Sequence, residues 1–222
     1  MGAPVKILLI SASPHRLKSN TFLLAEAARQ ACAAAGAETE VVHLPDLEIK
    51  FCLHCEACHR EILACPLKDG VRPLLDKMLE ADGLILATPN YINQVTASMK
   101  ALFDRSSHFI HCLRLSGKYV SGVVSSGSGR DKEVLDYLAH YAHTCGAWYS
   151  GGLSASVAAV PESRARAVEI GNRLVADIKE KRGFPGQDKI INEHRSHFKR
   201  LIEARKDDWP GEYRYWQEQG WL

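Results

Sequence analysis

Four of the seven cysteines in this chain lie within a short segment, at Cys52, Cys55, Cys58 and Cys65. The spacing is C-x2-C-x2-C-x6-C, and Pro66 follows the last cysteine. Three thiols three residues apart can turn inward from one tight loop, and a fourth nearby can complete a tetrahedral set. This arrangement suits a 4Fe–4S cluster, which needs four thiolates on a backbone that wraps one metal centre. The spacing therefore predicts a metal or redox centre in residues 52–65, here named the cysteine loop.

Two other interpretations of the cysteine loop stay open. A structural zinc ion also takes four ligands, although they usually come as two separated pairs. His54 and His59 are interleaved with the cysteines and could replace a thiolate as zinc ligands. The thiols could also remain without a metal. Three evenly spaced cysteines match a cluster loop better than a zinc site, so a cluster is the preferred interpretation.

A second set of polar side chains follows the apolar run at residues 5–10. The segment from Ser11 to Thr21 reads S-A-S-P-H-R-L-K-S-N-T and leads into a predicted helix. It contains neither a dinucleotide-binding glycine motif nor a Walker lysine motif. Free backbone N–H groups at a helix N-terminus, together with hydroxyl groups, can bind a phosphate dianion. Arg16 or Lys18 could neutralise its charge. An ordinary helix cap is the alternative interpretation, because Ser, Asn and Thr all cap helices well.

Strands and helices are predicted to alternate along the chain. Apolar runs indicate strands at 5–10, 39–44, 83–87, 119–125 and 147–160, and helical spacing indicates helices at 20–35, 69–80, 95–107, 131–144 and 162–181. This order predicts an α/β fold with a doubly wound, five-stranded parallel sheet. Ligands of such sheets bind at the carboxyl ends of the strands. The loops at 11–21, 88–94 and 125–129 should therefore meet at one edge.

Composition narrows the class of protein. The chain has 222 residues, 46% of them hydrophobic, and a net charge of +2. These values fit one globular domain with a real core and indicate neither a nucleic acid nor a membrane as a partner. The first apolar run is too short for a secretion signal. We therefore expect a cytoplasmic protein, in which the cysteines are reduced rather than paired in disulfides.

The composition changes after residue 182. Residues 1–182 are predicted to form the main domain and residues 183–222 a C-terminal extension, with helical spacing over 194–206. The last fourteen residues are dense in tryptophan and tyrosine. Such a segment is rarely exposed on a monomer. It should pack on its own domain or on a neighbouring subunit, with the subunit preferred, which predicts a homodimer or homotetramer.

Two of the strand-end loops carry a resemblance to a known family. The Ser13–Thr21 loop resembles the S-P-R-x-x-S-N-T signature of the NADPH-dependent FMN reductase and flavodoxin-like family. The segment from Thr88 to Arg105 is similar to the family's S-P-x-Y-x…S-x-x-L-K-x-F-I-D-R segment. With the cysteine loop added, the chain most resembles the iron–sulfur flavoprotein branch of that family. The resemblance covers residues 4–182 and implies a flavodoxin-like fold.

The resemblance also implies a binding site for FMN. Its phosphate would be held by Ser13, Ser19, Asn20 and Thr21, with Ser11 as a weaker candidate. The family's arginine after Ser-Pro is replaced by His15 here, followed by Arg16, so either could reach the phosphate. The isoalloxazine ring would lie against Pro89, Asn90, Tyr91, Ile92 and Asn93, and Ser126, Gly127 and Ser128 would approach it from the fourth strand.

The resemblance predicts a flavin-dependent oxidoreductase that couples two-electron flavin chemistry to one-electron carriers through a 4Fe–4S cluster on Cys52, Cys55, Cys58 and Cys65. A ferredoxin-like carrier or NAD(P)H would be the redox partner. No side chain is assigned as a catalytic acid or base, because the cofactors carry the chemistry. Two alternatives are an NAD(P)H-dependent FMN or quinone reductase without a cluster, and a non-enzymatic redox or metal sensor.

Overall fold

The fold is built on one parallel sheet. A computed structural model describes residues 3–127 and 129–222. The strands run in the order β2-β1-β3-β4-β5, and all neighbours are parallel. Their bounds are Lys6–Ser11 (β1), Glu38–His43 (β2), Gly83–Pro89 (β3), Tyr119–Ser126 (β4) and Trp148–Ser156 (β5). This is the flavodoxin-like strand order, so the predicted fold class is confirmed.

Helices cover both faces of the sheet. They are Asn20–Ala34 (α1), Ala57–Arg60 (α2), Val71–Glu80 (α3), Ala97–Arg105 (α4), Ser107–His111 (α5), Asp131–Thr144 (α6), Arg164–Lys179 (α7), Pro185–Ala204 (α8) and Pro210–Glu218 (α9). Successive strand residues point to opposite faces. In β1, Ile7 and Leu9 pack with α1 and α7, whereas Leu8 and Ile10 pack with α3, α4 and α6. This double covering explains the continuous apolar runs in the sequence.

Several predicted elements have different bounds in the structure. The helix predicted at 95–107 is two helices, because the chain turns at Ser106, whose hydroxyl donates to the Phe103 carbonyl. The strand predicted at 147–160 is shorter, and its register shifts near Gly151, which has a φ of 122°. The helix predicted at 194–206 begins much earlier, with Pro185 in its first turn. Proline is tolerated at this position because the N–H that it lacks would have no partner within the helix.

The C-terminal extension packs on its own domain. Gln187 exchanges hydrogen bonds with the Tyr149 backbone and so covers the free edge of β5. Trp209 and Trp216 are buried in a third apolar cluster with Cys112, Leu113 and the apolar face of α8. The aromatic content of this segment therefore does not by itself require a subunit interface. The expected homo-oligomer stays a prediction.

Candidate functional site

The loop after β1 carries the predicted phosphate ligands. A 3-10 turn at Arg16–Lys18 precedes α1, and Ser19 is the N-cap residue of that helix. The Ser19 hydroxyl accepts a hydrogen bond from the Phe22 N–H at 3.3 Å, so it serves as a helix cap. The other N–H groups in the first turn of α1 point out of its N-terminus, where the helix dipole favours an anion.

The basic side chains of this loop point in different directions. The Arg16 guanidinium pairs with Asp46 and donates to the Pro45 carbonyl at 3.0 Å, which directs it toward the segment after β2. His15 and Lys18 instead line the cleft at the carboxyl ends of the strands. The structure therefore places His15, and not Arg16, beside the predicted phosphate position.

The three strand-end loops meet in this cleft, which encloses about 740 Å³ including its open part. Thr21 in the first loop shares a 2.6 Å hydrogen bond with Ser125 at the end of β4. The Asn90 N–H donates to the Ser125 carbonyl at 2.8 Å, and Thr96 donates to the Ala12 carbonyl. Direct hydrogen bonds thus tie each loop to another, as a preformed ligand site requires.

Most of the predicted flavin ligands line this strand-end cleft. They are Ser13, His15, Ser19, Asn20, Thr21, Pro89, Asn90, Tyr91, Ser126 and Gly127. Ser125 and Val157 join them without having been assigned from the sequence, and Lys18 joins them as the basic residue that was offered, with Arg16, to neutralise the phosphate. Lys18 was recognisable as a basic residue of the first loop, whereas Val157 lies beyond β5, where no motif marks it.

Four of the predicted ligands do not line the cleft, and a fifth, Ser128, lies outside the described residues. Ser11 is buried within β1, and its hydroxyl has no hydrogen-bond partner among the described residues. Arg16 is held by Asp46. Ile92 and Asn93 form the tip of a tight turn that is closed by two hydrogen bonds between Tyr91 and Gln94. Both tip residues have a positive φ, and Ile92 is 97% exposed, so the turn points it into solvent.

The cysteine loop brings its four thiols to one cavity. Cys52, Cys55, Cys58 and Cys65 all line it, and all are free of disulfides. The backbone wraps tightly here, since His54, Glu56 and Leu63 have a positive φ, which is uncommon for residues other than glycine. The loop predicted from the spacing is therefore present, with two thiols exposed and two partly buried.

The sulfur atoms already have polar neighbours. The His54 N–H donates to Cys52 Sγ at 3.4 Å, and Arg105 Nη2 donates to Cys65 Sγ at 3.3 Å. Ser107 Oγ lies 3.8 Å from Cys58 Sγ. Burial raises the pKa of Cys58 to about 11, so this thiol is protonated at neutral pH unless a metal displaces the proton.

This cavity offers four thiols as ligands and a buried side chain that lacks a hydrogen-bond acceptor. It therefore suits a bound group that takes sulfur ligands and carries acceptor atoms of its own. His108 lines the cavity, is 1% exposed, and neither of its ring nitrogens has a hydrogen-bond partner among the described residues. Burial lowers the pKa of His108 to about 3, so the ring is neutral and carries one N–H. The sulfides of a cluster would offer that N–H an acceptor. A zinc ion on four thiolates would add none.

A buried ion pair closes the cysteine loop. The Arg105 guanidinium donates to both carboxylate oxygens of Asp69, at 2.6 and 3.1 Å, and to the Lys50 carbonyl at 2.8 Å. Burial tends to raise the pKa of Asp69, but the hydrogen bonds from Arg105 and from two backbone N–H groups lower it overall. The chain is thus pinned just before Cys52 and just after Cys65. No sequence motif indicated this pair, because its two residues lie 36 positions apart in the chain.

Behind the loop lies a network that joins it to the C-terminal helix α9. Glu212 is fully buried, and its two oxygens lie 2.6 and 3.1 Å from Nδ1 of His59 and of His111. The two imidazole rings stack with an angle of 18° between their planes. A metal ion bound by both rings would have to lie in both planes. Nearly parallel rings therefore favour hydrogen bonds to the carboxylate over a shared ion.

The α8–α9 corner also touches the segment between Cys55 and Cys58. Trp209 Nε1 donates to Glu56 at 3.3 Å, and its ring packs against His59. Gly211 allows this approach, since a Cβ there would lie 2.5 Å from the Arg60 carbonyl oxygen. The C-terminal extension is therefore part of the support of the cysteine loop, which no sequence motif indicated.

Among the described residues, no helix combines the length and the apolar character needed to cross a membrane.

Comparisons with known proteins identify iron–sulfur flavoproteins as relatives of this chain. An iron–sulfur flavoprotein of Methanocaldococcus jannaschii is 42% identical over 127 residues, which span 57% of this chain and 64% of that protein. The chain thus matches less than two thirds of that relative's length. An iron–sulfur flavoprotein of Archaeoglobus fulgidus is 27% identical over 98% of this chain and 100% of its own length.

The solved structures that the fold matches include a flavone reductase. It has a TM-score of 0.64 at 22% identity, over 79% of this chain and 63% of the other. At this identity the match shows the fold alone. The family model of the NADPH-dependent FMN reductases covers residues 5–162. The resemblance seen in the two strand-end loops is thereby confirmed, and the chain belongs to the NADPH-dependent FMN reductase family, with iron–sulfur flavoproteins among its relatives.

Proposed function

We propose that this protein is an FMN-dependent oxidoreductase with a 4Fe–4S cluster on Cys52, Cys55, Cys58 and Cys65. The observation that carries the proposal is that one domain forms both sites. Three hydrogen-bonded loops form a cleft at the carboxyl ends of β1, β3 and β4, and four thiols line one cavity after β2. The iron–sulfur flavoproteins among its relatives support the pairing of the two groups.

Different residues of the strand-end cleft would hold the phosphate and the ring of FMN. The N-terminus of α1, with Ser13, Asn20 and Thr21, would hold the phosphate through N–H and hydroxyl donors. His15 and Lys18 would neutralise its charge. Pro89, Asn90 and Tyr91, with Gly127 opposite, would position the ring. The carbonyl oxygen of the Asn90 side chain is buried without a partner among the described residues, and so is available to a ligand N–H.

When both groups are bound, FMN supplies two-electron chemistry and the cluster supplies one-electron transfer, so the pair can link a nicotinamide to a one-electron carrier. The chain's own part is to hold the two groups and to shield the inner sulfurs. Cys58 and Cys65 are partly buried, whereas the exposed Cys52 and Cys55 lie on the solvent side, where a carrier protein such as a ferredoxin would dock.

The visible spectrum and the metal content of anaerobically purified protein test this proposal. Flavin bands with a broad shoulder at longer wavelength, and about four iron atoms per chain, are expected. Flavin without iron would contradict the cluster and favour the alternative of an NAD(P)H-dependent FMN or quinone reductase. Zinc in place of iron would do the same. Protein without any flavin would contradict both enzymatic functions and leave the sensor hypothesis.

Lys18 offers a separate test of the flavin site. Lys18→Gln is expected to weaken FMN binding about fivefold, or about 1 kcal/mol, because an exposed charge beside a phosphate is screened by water. Fluorescence quenching of FMN on titration with apoprotein measures the change, which should shrink as salt is added.

The matched control is Arg16→Gln, which removes the same charge at a position two residues from Lys18. The Arg16 side chain is held by Asp46. It should leave FMN affinity nearly unchanged. Equal losses in the two variants would show that Arg16 leaves Asp46 to meet the phosphate.

A further inference from the structure

The segment that joins α4 to α5 faces the cysteine cavity with three hydrogen-bond donors. Arg105, Ser107 and His108 all line this cavity. They follow one another within a single turn, at the point where the helix breaks at Ser106. One short segment of backbone therefore presents a guanidinium, a hydroxyl and an imidazole to the same space.

Two of these donors already contact cysteine sulfurs. Arg105 Nη2 donates to Cys65 Sγ at 3.3 Å, and Ser107 Oγ lies 3.8 Å from Cys58 Sγ. The Arg105 side chain is 2% exposed, and its partner Asp69 is fully buried. Because the carboxylate balances most of the charge of the guanidinium, the directed N–H···S bond is the main influence left on the sulfur.

The third donor has no acceptor within the described residues. His108 is almost completely buried, and both of its ring nitrogens are without hydrogen bonds. A buried polar group left without a partner destabilises the fold. His108 lines the cavity that the four thiols also line, so a group bound there with acceptor atoms of its own would supply the missing partner.

We propose that Arg105, Ser107 and His108 form a donor wall that raises the reduction potential of the metal centre. The proposal rests on the proposed function, in which the cavity holds a 4Fe–4S cluster. Hydrogen bonds to cluster sulfurs draw negative charge away from them and favour the reduced state, which carries one more electron. The wall thus sets which one-electron carriers can reduce the centre, while Asp69 and the Lys50 carbonyl fix the orientation of Arg105.

The test is a redox titration of reconstituted protein, followed by the electron paramagnetic resonance signal of the reduced cluster. In Arg105→Gln, the ratio of reduced to oxidised cluster at a fixed potential should fall about tenfold, which is 59 mV for a one-electron couple. Arg72→Gln is the matched control. Arg72 borders the same cavity, but its exposed guanidinium pairs with Asp76. The ratio should change less than about twofold there, because exposed charges are screened.

An unchanged ratio in an Arg105→Gln protein that holds its full iron would overturn the proposal. If this variant loses iron, the double variant Ser107→Ala with His108→Leu decides, since it removes two donors and leaves the buried ion pair intact. A lowered ratio there supports the wall, and an unchanged one overturns it. Iron content in the unsubstituted protein tests the proposed function separately, because a cluster with an unshifted potential contradicts the donor wall alone.

Discussion

Cys58→Ala is expected to abolish the bound iron while flavin binding is retained. The thiol of Cys58 is partly buried and lies at the inner side of the cavity, next to Ser107. Iron per chain should fall more than about tenfold, since losing even an outer partner of a metal ligand costs about 10–100-fold in affinity. The strand-end cleft proposed for FMN shares no lining residue with the cysteine cavity, so flavin absorbance should remain.

Cys145→Ala is the control for this experiment. Cys145 is fully buried in the main core, away from the residues that line the cysteine cavity. Its loss should leave iron and sulfide contents unchanged. A Cys58→Ala protein with its full iron would contradict the assignment of Cys58 as a ligand of the cluster.

Glu212→Ala should lower the free energy of unfolding by about 3 kcal/mol, because it leaves the buried imidazole of His59 and the partly buried imidazole of His111 without their acceptor. Glu212 joins α9 to His59 beside the cysteine loop and to His111 on α5. Urea unfolding followed by tryptophan fluorescence measures the loss. Glu218→Gln, at an exposed position of the same helix, should change the free energy by less than about 0.5 kcal/mol.

The effect of Glu212 should depend on pH. Burial raises the pKa of this carboxyl, but the hydrogen bonds from His111 and His59 outweigh it, so the pKa lies below its ordinary value. A group with a depressed pKa stabilises the fold above its unfolded pKa, about 4.3 for Glu, and this stability is lost as the pH falls through the folded pKa.

The difference in the free energy of unfolding between the unsubstituted protein and Glu212→Gln should therefore have its full value at about pH 6. It should shrink below about pH 4. Gln keeps one acceptor oxygen, so this variant should lose less than Glu212→Ala. A difference that stays constant across this range would show that the carboxylate charge contributes nothing to the network.

Most of the fold could be predicted from local patterns. Helix α6 has its predicted bounds, and β1 lies within one residue of them. Such runs are readable because a strand buried on both faces must be apolar throughout. The break at Ser106 could not be predicted, since Ser is compatible with a helix and the chain turns there to pack α5 against other elements. Helix α9 was not predicted, because its nine residues are too few for a helical period of apolar residues to be recognised.

Residues of the candidate sites were likewise easier to predict where they depend on local sequence than where they depend on distant segments. Loop residues next to a strand end, such as Ser13, Thr21 and Asn90, line one cleft because parallel strands bring their carboxyl ends to one edge, and their binding of FMN stays a prediction. Arg16 was one of two candidate partners of the phosphate, with His15, but Asp46 is close enough in space to bind it. Ion pairs between distant segments carry no sequence spacing that would reveal them.

The four clustered thiols, the hydroxyl-rich loop and the alternation of strands and helices could be recognised from local sequence, because each of these depends only on residues near in the chain. The residues that surround the thiols could be identified only in the folded chain. Arg105, Ser107 and His108 come from one helix junction, Asp69 from beyond the loop, and Glu212 from the last helix. Charged and polar side chains such as these can be buried only where they have hydrogen-bonding partners. The folded chain brings those partners together from distant segments.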